Sequence, residues 1–186
     1  KMTQGSPVAS ESYSTRSGRK LISKTSTKWE AKALPGHSLH RQIVSPGSIT
    51  ENYDESGKLS YSTIIEKDFD EFYNPKLIRT TNKDNNGTYV TEIETAYWND
   101  PSLWIFGLPK DVKSVSSVNG GLKVSKRSIF EYDSNGLLFS ETEEPDSPLW
   151  RKKVYERHKN FFGLVDTTTL SWGSEHSKGL SAQSLS

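Results

Sequence analysis

Short turn clusters recur along this sequence, and they constrain its fold more than any other feature. Each cluster combines Asn, Asp, Pro, Ser or Gly and lies between runs in which apolar and polar residues alternate. The clusters are Glu55-Ser56-Gly57, Tyr73-Asn74-Pro75, Asn85-Asn86-Gly87, Asn99-Asp100-Pro101, Asn119-Gly120-Gly121, Asn135-Gly136 and Pro145-Asp146-Ser147-Pro148. Asn and Asp hydrogen-bond to their own backbone in turns, and Gly accepts a positive φ, so the clusters predict hairpin turns.

The runs between the turns alternate with period two, which is typical of half-buried strands. They begin near Leu21, Leu59, Tyr89, Leu122 and Leu164. No segment has the three-to-four residue spacing of an amphipathic helix. The turns are too short for parallel crossovers, which need a dozen or more residues. The sequence therefore predicts an all-β fold, an antiparallel β-hairpin meander of nine or ten strands.

Composition excludes several classes of protein. The 186 residues include no cysteine, so a disulfide scaffold and a cysteine zinc site are impossible. The net charge of +1 provides no field for nucleic acid, so no nucleic-acid partner is expected. The longest apolar run, Leu103 to Leu108, is far shorter than the ~20 residues of a membrane helix, so no membrane span is expected either.

Four of the turns align in one register, an aromatic residue followed by Asp, two further residues and Gly. Two copies are complete, one has Tyr73 at the Gly position, and the fourth keeps only an amide and the Gly. The aligned residues are Tyr53, Asp54 and Gly57; Phe69 and Asp70; Tyr132, Asp133 and Gly136; and Asn160 and Gly163. In this unit the Asp is expected to accept backbone N–H groups, the Gly to supply the left-handed position, and the ring to pack on a neighbouring hairpin. The alternative is that these are turns common to any all-β protein.

Such Tyr-Asp-x-x-Gly hairpins resemble the YD repeats of Rhs proteins, and further motifs occur in the same order as in that family. The ordered motifs are Arg19 to Trp29, Phe69 to Pro75, Ala96 to Asp100, Trp104 to Pro109, Phe130 to Asp133 and Glu143 to Asp146. Together they resemble the shell region of bacterial polymorphic toxins and insecticidal toxin-complex subunits over roughly residues 18–172.

The resemblance implies a curved, twisted YD-repeat sheet that forms part of a hollow β-shell around a toxin or effector region. It implies a non-catalytic structural segment, secreted or at the cell surface. The expected partner is the remainder of a parent Rhs-like chain or a toxin-complex subunit. The expected organisation is a flexible lead-in at residues 1–17, a YD-repeat β-sheet domain at 18–174 and a flexible Ser-rich tail at 175–186. We expect the chain to be a piece of a longer protein.

Residues that could carry chemistry are few, and no enzyme, cofactor or metal site is predicted. His37 and His40 are close in sequence but lack the further ligands of a metal site. The acidic residues near Glu141 and Glu143 could suggest a glycosidase pair, but an exposed charged strand is the preferred interpretation. The basic run Arg151-Lys152-Lys153 is expected to complement these acids across a hairpin that turns at residues 145–148.

An alternative function is a carbohydrate-binding β module that uses exposed aromatic rings on the sheet surface. The candidate rings for stacking on sugars are Trp98, Trp104, Trp150 and Trp172. Aromatic faces provide such stacking surfaces, but the same rings could instead form the core.

Overall fold

A computed structural model describes residues 8–15, 18–34, 37–157, 163–173 and 184–185 of the chain. These residues form twelve strands, the last of only two residues. The strands are β1 Ala9–Ser14, β2 Lys20–Leu34, β3 His37–Tyr53, β4 Leu59–Phe69, β5 Pro75–Asp84, β6 Thr88–Asp100, β7 Ile105–Val118, β8 Lys123–Tyr132, β9 Leu138–Glu143, β10 Arg151–Arg157, β11 Val165–Trp172 and β12 Ser184–Leu185. A 3₁₀ helix at Pro101–Leu103 precedes β7, and the described residues contain no α-helix.

The strands follow one another in the sheet in chain order, from β1 to β12. Every pairing whose register is described is antiparallel, as tight turns between consecutive strands require. The prediction of an all-β antiparallel hairpin meander is confirmed. The strand number exceeds the predicted nine or ten.

Contacts divide the chain into two compact units. Unit 1 comprises residues 1–93 and 115–124, and unit 2 comprises residues 94–114 and 125–186. Strands β1 to β5 lie wholly in unit 1, whereas β9 to β12 lie wholly in unit 2. The strands between them contribute residues to both units.

Part of the segment at 1–17, which was expected to be a flexible lead-in, is a strand: Ala9–Ser14 form β1. This strand pairs with β2 through its backbone, so it needs no apolar alternation to form, and its side chains are mostly exposed. In the Ser-rich tail, Ser184 and Leu185 pair with Thr169 and Thr168 of β11. The other positions of the tail from 175 onward lie outside the described residues.

Few apolar side chains of the described residues are fully buried. Val44, with 6% of its surface exposed, is the buried hydrophobic residue among them, and Ser140 is the largest side chain that is fully buried. Many large apolar side chains remain substantially exposed, including Ile49, Leu122 and Leu164. The strands are therefore held mainly by backbone pairing and by half-buried side chains, because no large apolar core forms among these residues.

Candidate functional site

The two complete repeat turns adopt one geometry. In the first, Oδ1 of Asp54 accepts the N–H groups of Ser56 and Lys58 at 2.9 Å, and the Gly57 N–H donates to the Asp54 carbonyl. In the second, Oδ1 of Asp133 accepts the N–H groups of residues 135 and 137 at 2.9 Å. Gly57 and Gly136 have φ of 82° and 79°, the left-handed region that a side chain disfavours.

The turn at Phe69 keeps this geometry without glycine. Oδ1 of Asp70 accepts the N–H groups of Phe72 and Asn74 at 2.9 and 2.8 Å. Tyr73, at the Gly position, has φ of 64°. Its hydroxyl donates to the carbonyl of Ala33 in β2, so the side chain ties this turn to a strand 40 residues earlier. A bulky residue in this backbone region is uncommon, and the added hydrogen bond offsets part of its cost.

The pairing register repeats in the same three hairpins. Each aromatic residue pairs with the residue six positions later, as Tyr53↔Leu59, Phe69↔Pro75 and Tyr132↔Leu138. In each hairpin the register shifts immediately before the ring. Three separate sequences thus form the same bulged hairpin, which is a stronger likeness than the sequence motif alone.

The fourth copy is described only in part. Gly163 has φ of 75°, whereas Asn160 lies outside the described residues. The register shift in this hairpin falls before Arg157, which pairs with Val165, two positions further along than in the other copies. The described pairing of this hairpin therefore differs from that of the other three.

The turn carboxylates form hydrogen bonds to groups of their own turns. The Ser56 hydroxyl donates to Asp54 at 2.6 Å, and this bond together with the Lys58 N–H lowers the pKa of Asp54. An ionised carboxylate whose Oδ1 accepts two N–H groups of its own turn stabilises that turn. These contacts give the repeat Asp residues a role in building the turn.

The acidic and basic strips of unit 2 pair across the hairpin between β9 and β10, as predicted. Glu143 lies opposite Arg151, whose Nη2 donates to both carboxylate oxygens at 2.7 Å. Glu141 lies opposite Lys153 and accepts its ammonium group, which raises the pKa of Lys153. Both carboxylates are thus engaged in ion pairs with the facing strand.

Two further polar clusters of unit 2 lack a signal in the sequence. The Arg127 guanidinium binds Asp111 through Nε and Nη2 and Asp146 through Nη1 at 2.7 Å, and it lowers the pKa of Asp111. Glu131 accepts hydrogen bonds from the hydroxyl of buried Ser140 and, at 2.9 Å, from the ammonium group of Lys152. Both bonds lower the pKa of Glu131, and the Ser140 bond contributes more. Glu131 and Ser140 lie opposite each other in the β8–β9 hairpin, whereas Asp111, Asp146 and Lys152 lie 16 to 21 residues from their partners and are brought to them by the pairing of further strands.

The four tryptophans predicted as sugar platforms differ in exposure. Trp104, with 86% of its surface exposed, follows the 3₁₀ helix at φ of 55°. The 3₁₀ helix before it is capped by Asp100, whose Oδ1 accepts the Ser102 N–H at 3.0 Å. Trp98 is half-buried and lies 6.0 Å, ring centre to ring centre, from Tyr132. Trp150 and Trp172 are also half-buried.

The two faces of the five-stranded part of unit 1 differ in charge. Residues directly opposite in an antiparallel pair point to the same face, so the register assigns the faces. We call one the charged face: Ala9, Glu11, Lys24, Ser26, Lys28, Gly47, Ile49, Glu51, Ser62, Ile64, Glu66, Asp68, Leu77, Arg79, Thr81 and Lys83. We call the other the hydroxyl-rich face: Ser10, Ser12, Ser23, Thr25, Thr27, Ser48, Thr50, Asn52, Tyr61, Thr63, Ile65, Lys67, Ile78, Thr80, Asn82 and Asp84.

Metal and membrane sites receive no direct support. Among the described residues, no group of three or more His, Asp or Glu side chains could hold a metal ion. His37 and His40 lie in β3, and their side chains are outside what the structure describes. In the same part of the chain, no helix is long and apolar enough to cross a membrane. Comparison with known proteins finds no family model and no curated protein that matches this sequence.

Proposed function

We propose that the chain is a non-catalytic structural segment of a Rhs/YD-repeat protein, part of a β-shell that encloses or presents a toxin or effector region. The remainder of the parent chain, or a toxin-complex subunit, would be its partner. The parent protein would be secreted or exposed at the cell surface. This proposal extends the fold class to a role, and it rests on the hairpins of both units.

The observation that carries the proposal is the recurrence of one bulged hairpin. The turns at Tyr53, Phe69 and Tyr132 share the carboxylate bonds, the left-handed residue and the register shift. A repeated hairpin stacks on its neighbours in the sheet and cannot bury an apolar face by itself. Such a unit suits the wall of a larger assembly.

The small core supports the same role. Among the described residues only Val44 is a buried hydrophobic side chain, although 32% of the sequence is hydrophobic. A free-standing domain of this length normally encloses a core of many apolar side chains. Segments of a longer shell can instead complete their burial against further hairpins of the same chain.

The test uses the full-length gene product that contains this segment. Electron microscopy should show a hollow β-shell with residues 18–172 in its wall, and limited proteolysis should leave an enclosed region uncut. Replacing the three turn carboxylates Asp54, Asp70 and Asp133 by Ala should expose that region to protease. Asp166→Ala, at an exposed position of β11, is the matched control and should leave protection unchanged. A parent protein without an enclosed region would contradict the proposal.

A second candidate function, a carbohydrate-binding β module, is favoured by the exposure of Trp104. Its ring is open to solvent, and the Asp100 cap and the Asn99 side chain, which accepts the Gly107 N–H at 2.8 Å, fix the loop beneath it. An exposed aromatic ring is suited to stacking on a sugar. A glycan array tests this function: binding that Trp104→Ala abolishes and Trp98→Phe preserves would support it, and an array without hits would contradict it.

A further inference from the structure

The sequence contains three Asn-Gly pairs, and each lies between two consecutive strands: Asn86-Gly87, Asn119-Gly120 and Asn135-Gly136. In such a pair the Gly backbone nitrogen can attack the side-chain carbonyl carbon of the Asn, because Gly has no side chain to obstruct the approach. The attack needs an Asn side chain that is free to turn toward the nitrogen and a group that takes the proton of the N–H. The three turns differ in both respects.

The proton acceptor distinguishes Asn86-Gly87 from the pair in the repeat turn. The Gly87 N–H donates to Oδ1 of Asp84 at 2.9 Å, and the same oxygen accepts the Asn86 N–H at 2.7 Å. The Gly136 N–H donates instead to the backbone carbonyl of Asp133 at 3.0 Å. A carboxylate can take up the proton of an attacking nitrogen, whereas a backbone carbonyl is far too weak a base to do so.

Turn length accounts for this difference. The Asp84 N–H donates to the Gly87 carbonyl at 3.0 Å, so this turn closes across two residues. The Asp133 N–H donates to the Leu137 carbonyl, so the repeat turn closes across three. The shorter turn therefore brings the nitrogen of its Gly to the carboxylate that caps it.

The freedom of the Asn side chain distinguishes the third pair. Asn86 is exposed, and its carboxamide has no hydrogen bond within the described part of the chain. Oδ1 of Asn119, by contrast, accepts the Thr88 N–H at 2.7 Å. Turning this carboxamide toward Gly120 would leave the Thr88 N–H without its partner. Asn86 thus combines an unbonded side chain with a carboxylate at the nitrogen that would attack it.

We propose that Asn86-Gly87 is a site of self-modification, at which Asp84 is the general base for cyclisation of Asn86. The Gly87 nitrogen forms a bond to Cγ of Asn86 while its proton passes to Asp84. The Cγ–Nδ2 bond then breaks, and Asp84 returns the proton to the leaving nitrogen, which departs as ammonia. The product is a succinimide ring that joins residues 86 and 87. Water opens this ring at either carbonyl and leaves aspartate or isoaspartate at position 86.

The modification would act on the contact between two hairpins of unit 1. Either product places a second carboxylate two residues from Asp84, and isoaspartate also adds a methylene group to the backbone of the turn. Gly87 leaves little room for this change, because a Cβ placed on it would lie 2.5 Å from Oδ1 of Asn119. A shift of Gly87 would therefore disturb the bond between Asn119 and Thr88. Since the step consumes only water, the modified fraction would increase with the age of the folded protein.

The test follows all three pairs in one sample. The purified chain is incubated at physiological temperature and neutral pH in water enriched in heavy oxygen, and the three Asn-Gly peptides are then quantified by mass spectrometry. Heavy oxygen in the new carboxylate shows that the reaction took place during the incubation. Asn119 and Asn135 are the internal controls. A parallel sample in urea gives the rates that the local sequence supports without the fold.

Asp84→Asn is the matched variant, because its side-chain oxygen can still accept both N–H groups but cannot take up a proton at neutral pH. In the folded chain, Asn86 should react faster than Asn119 and Asn135. Asp84→Asn should slow the reaction of Asn86 by about 10²-fold, the lower end of what a general base contributes. In urea the three pairs should react at similar rates.

Two results would overturn the proposal. One is a rate at Asn86 that does not exceed the rate at Asn135 in the folded chain. The other is an unchanged rate at Asn86 in an Asp84→Asn variant that keeps the circular dichroism spectrum of the original chain. If this variant does not fold, the original chain still decides the question: Asn86 must react faster in the folded chain than in urea, and an equal or slower reaction contradicts the role of Asp84.

Discussion

Replacing Asp133 by Ala tests whether the repeat carboxylate builds the hairpin. The change removes the oxygen that accepts two backbone N–H groups at 2.9 Å and leaves the ring and glycine of the repeat in place. Losing a side-chain cap on backbone N–H groups costs about 0.5–2 kcal/mol. Hydrogen bonds to charged groups contribute about 1.5–3 kcal/mol each when shielded from water.

Both N–H groups are near solvent, and water replaces part of the lost interaction. We therefore expect Asp133→Ala to reduce the free energy of unfolding by about 1–2 kcal/mol. For a chain of this size, that loss lowers the melting temperature by roughly 2–8 °C. Thermal unfolding followed by circular dichroism at the strand signal measures the shift.

Asp133→Asn is the informative companion variant, because an amide oxygen can accept the same N–H groups. It should retain most of the stability that Asp133→Ala loses. Asp166→Ala, on exposed β11, should change stability by no more than about 0.5 kcal/mol. An unchanged melting temperature for Asp133→Ala would show that the motif does not stabilise the turn.

Three other perturbations follow from the same contacts. Gly57→Ala and Gly136→Ala should each lower the free energy of unfolding in urea by about 1–2 kcal/mol, because both glycines have a positive φ. The loss should be larger for Gly136→Ala, since its new Cβ lies 3.2 Å from the Ile105 side chain, and equal losses would contradict this packing. Glu141→Lys and Lys153→Glu should each destabilise the protein, and the double variant should recover the lost stability because it restores the ion pair with reversed charges. Additive losses in the double-mutant cycle would refute the pairing. Arg127 lowers the pKa of Asp111 in the folded protein below its ordinary value of 3.8. The ionised Asp111 therefore stabilises the fold fully above pH 3.8, and this stabilisation is lost as the pH falls through the lower folded pKa. The melting temperature measured against pH should decline in that acidic range.

Local chemistry made much of the fold readable from sequence. The turn clusters at Glu55, Asn85, Asn119 and Asn135 each separate two strands, because a turn depends on residues within a few positions. The ion pairs between β9 and β10 were predictable for the same reason, since a short hairpin fixes which residues lie opposite. Strand β1 was missed because both of its faces are polar and it shows no apolar alternation.

The sequence by itself determined most of the strands, the turns between them and the antiparallel order, because period two and turn chemistry act over a few residues. Only the tertiary structure decided the left-handed Tyr73 that bonds to Ala33, and the pairing of Arg127 with Asp111 and Asp146. These contacts join residues on different strands or hairpins, and their geometry depends on register and bulges along the sheet. The two faces of unit 1 emerge in the same way, since alternation marks two sides of one strand but pairing decides which sides of five strands coincide.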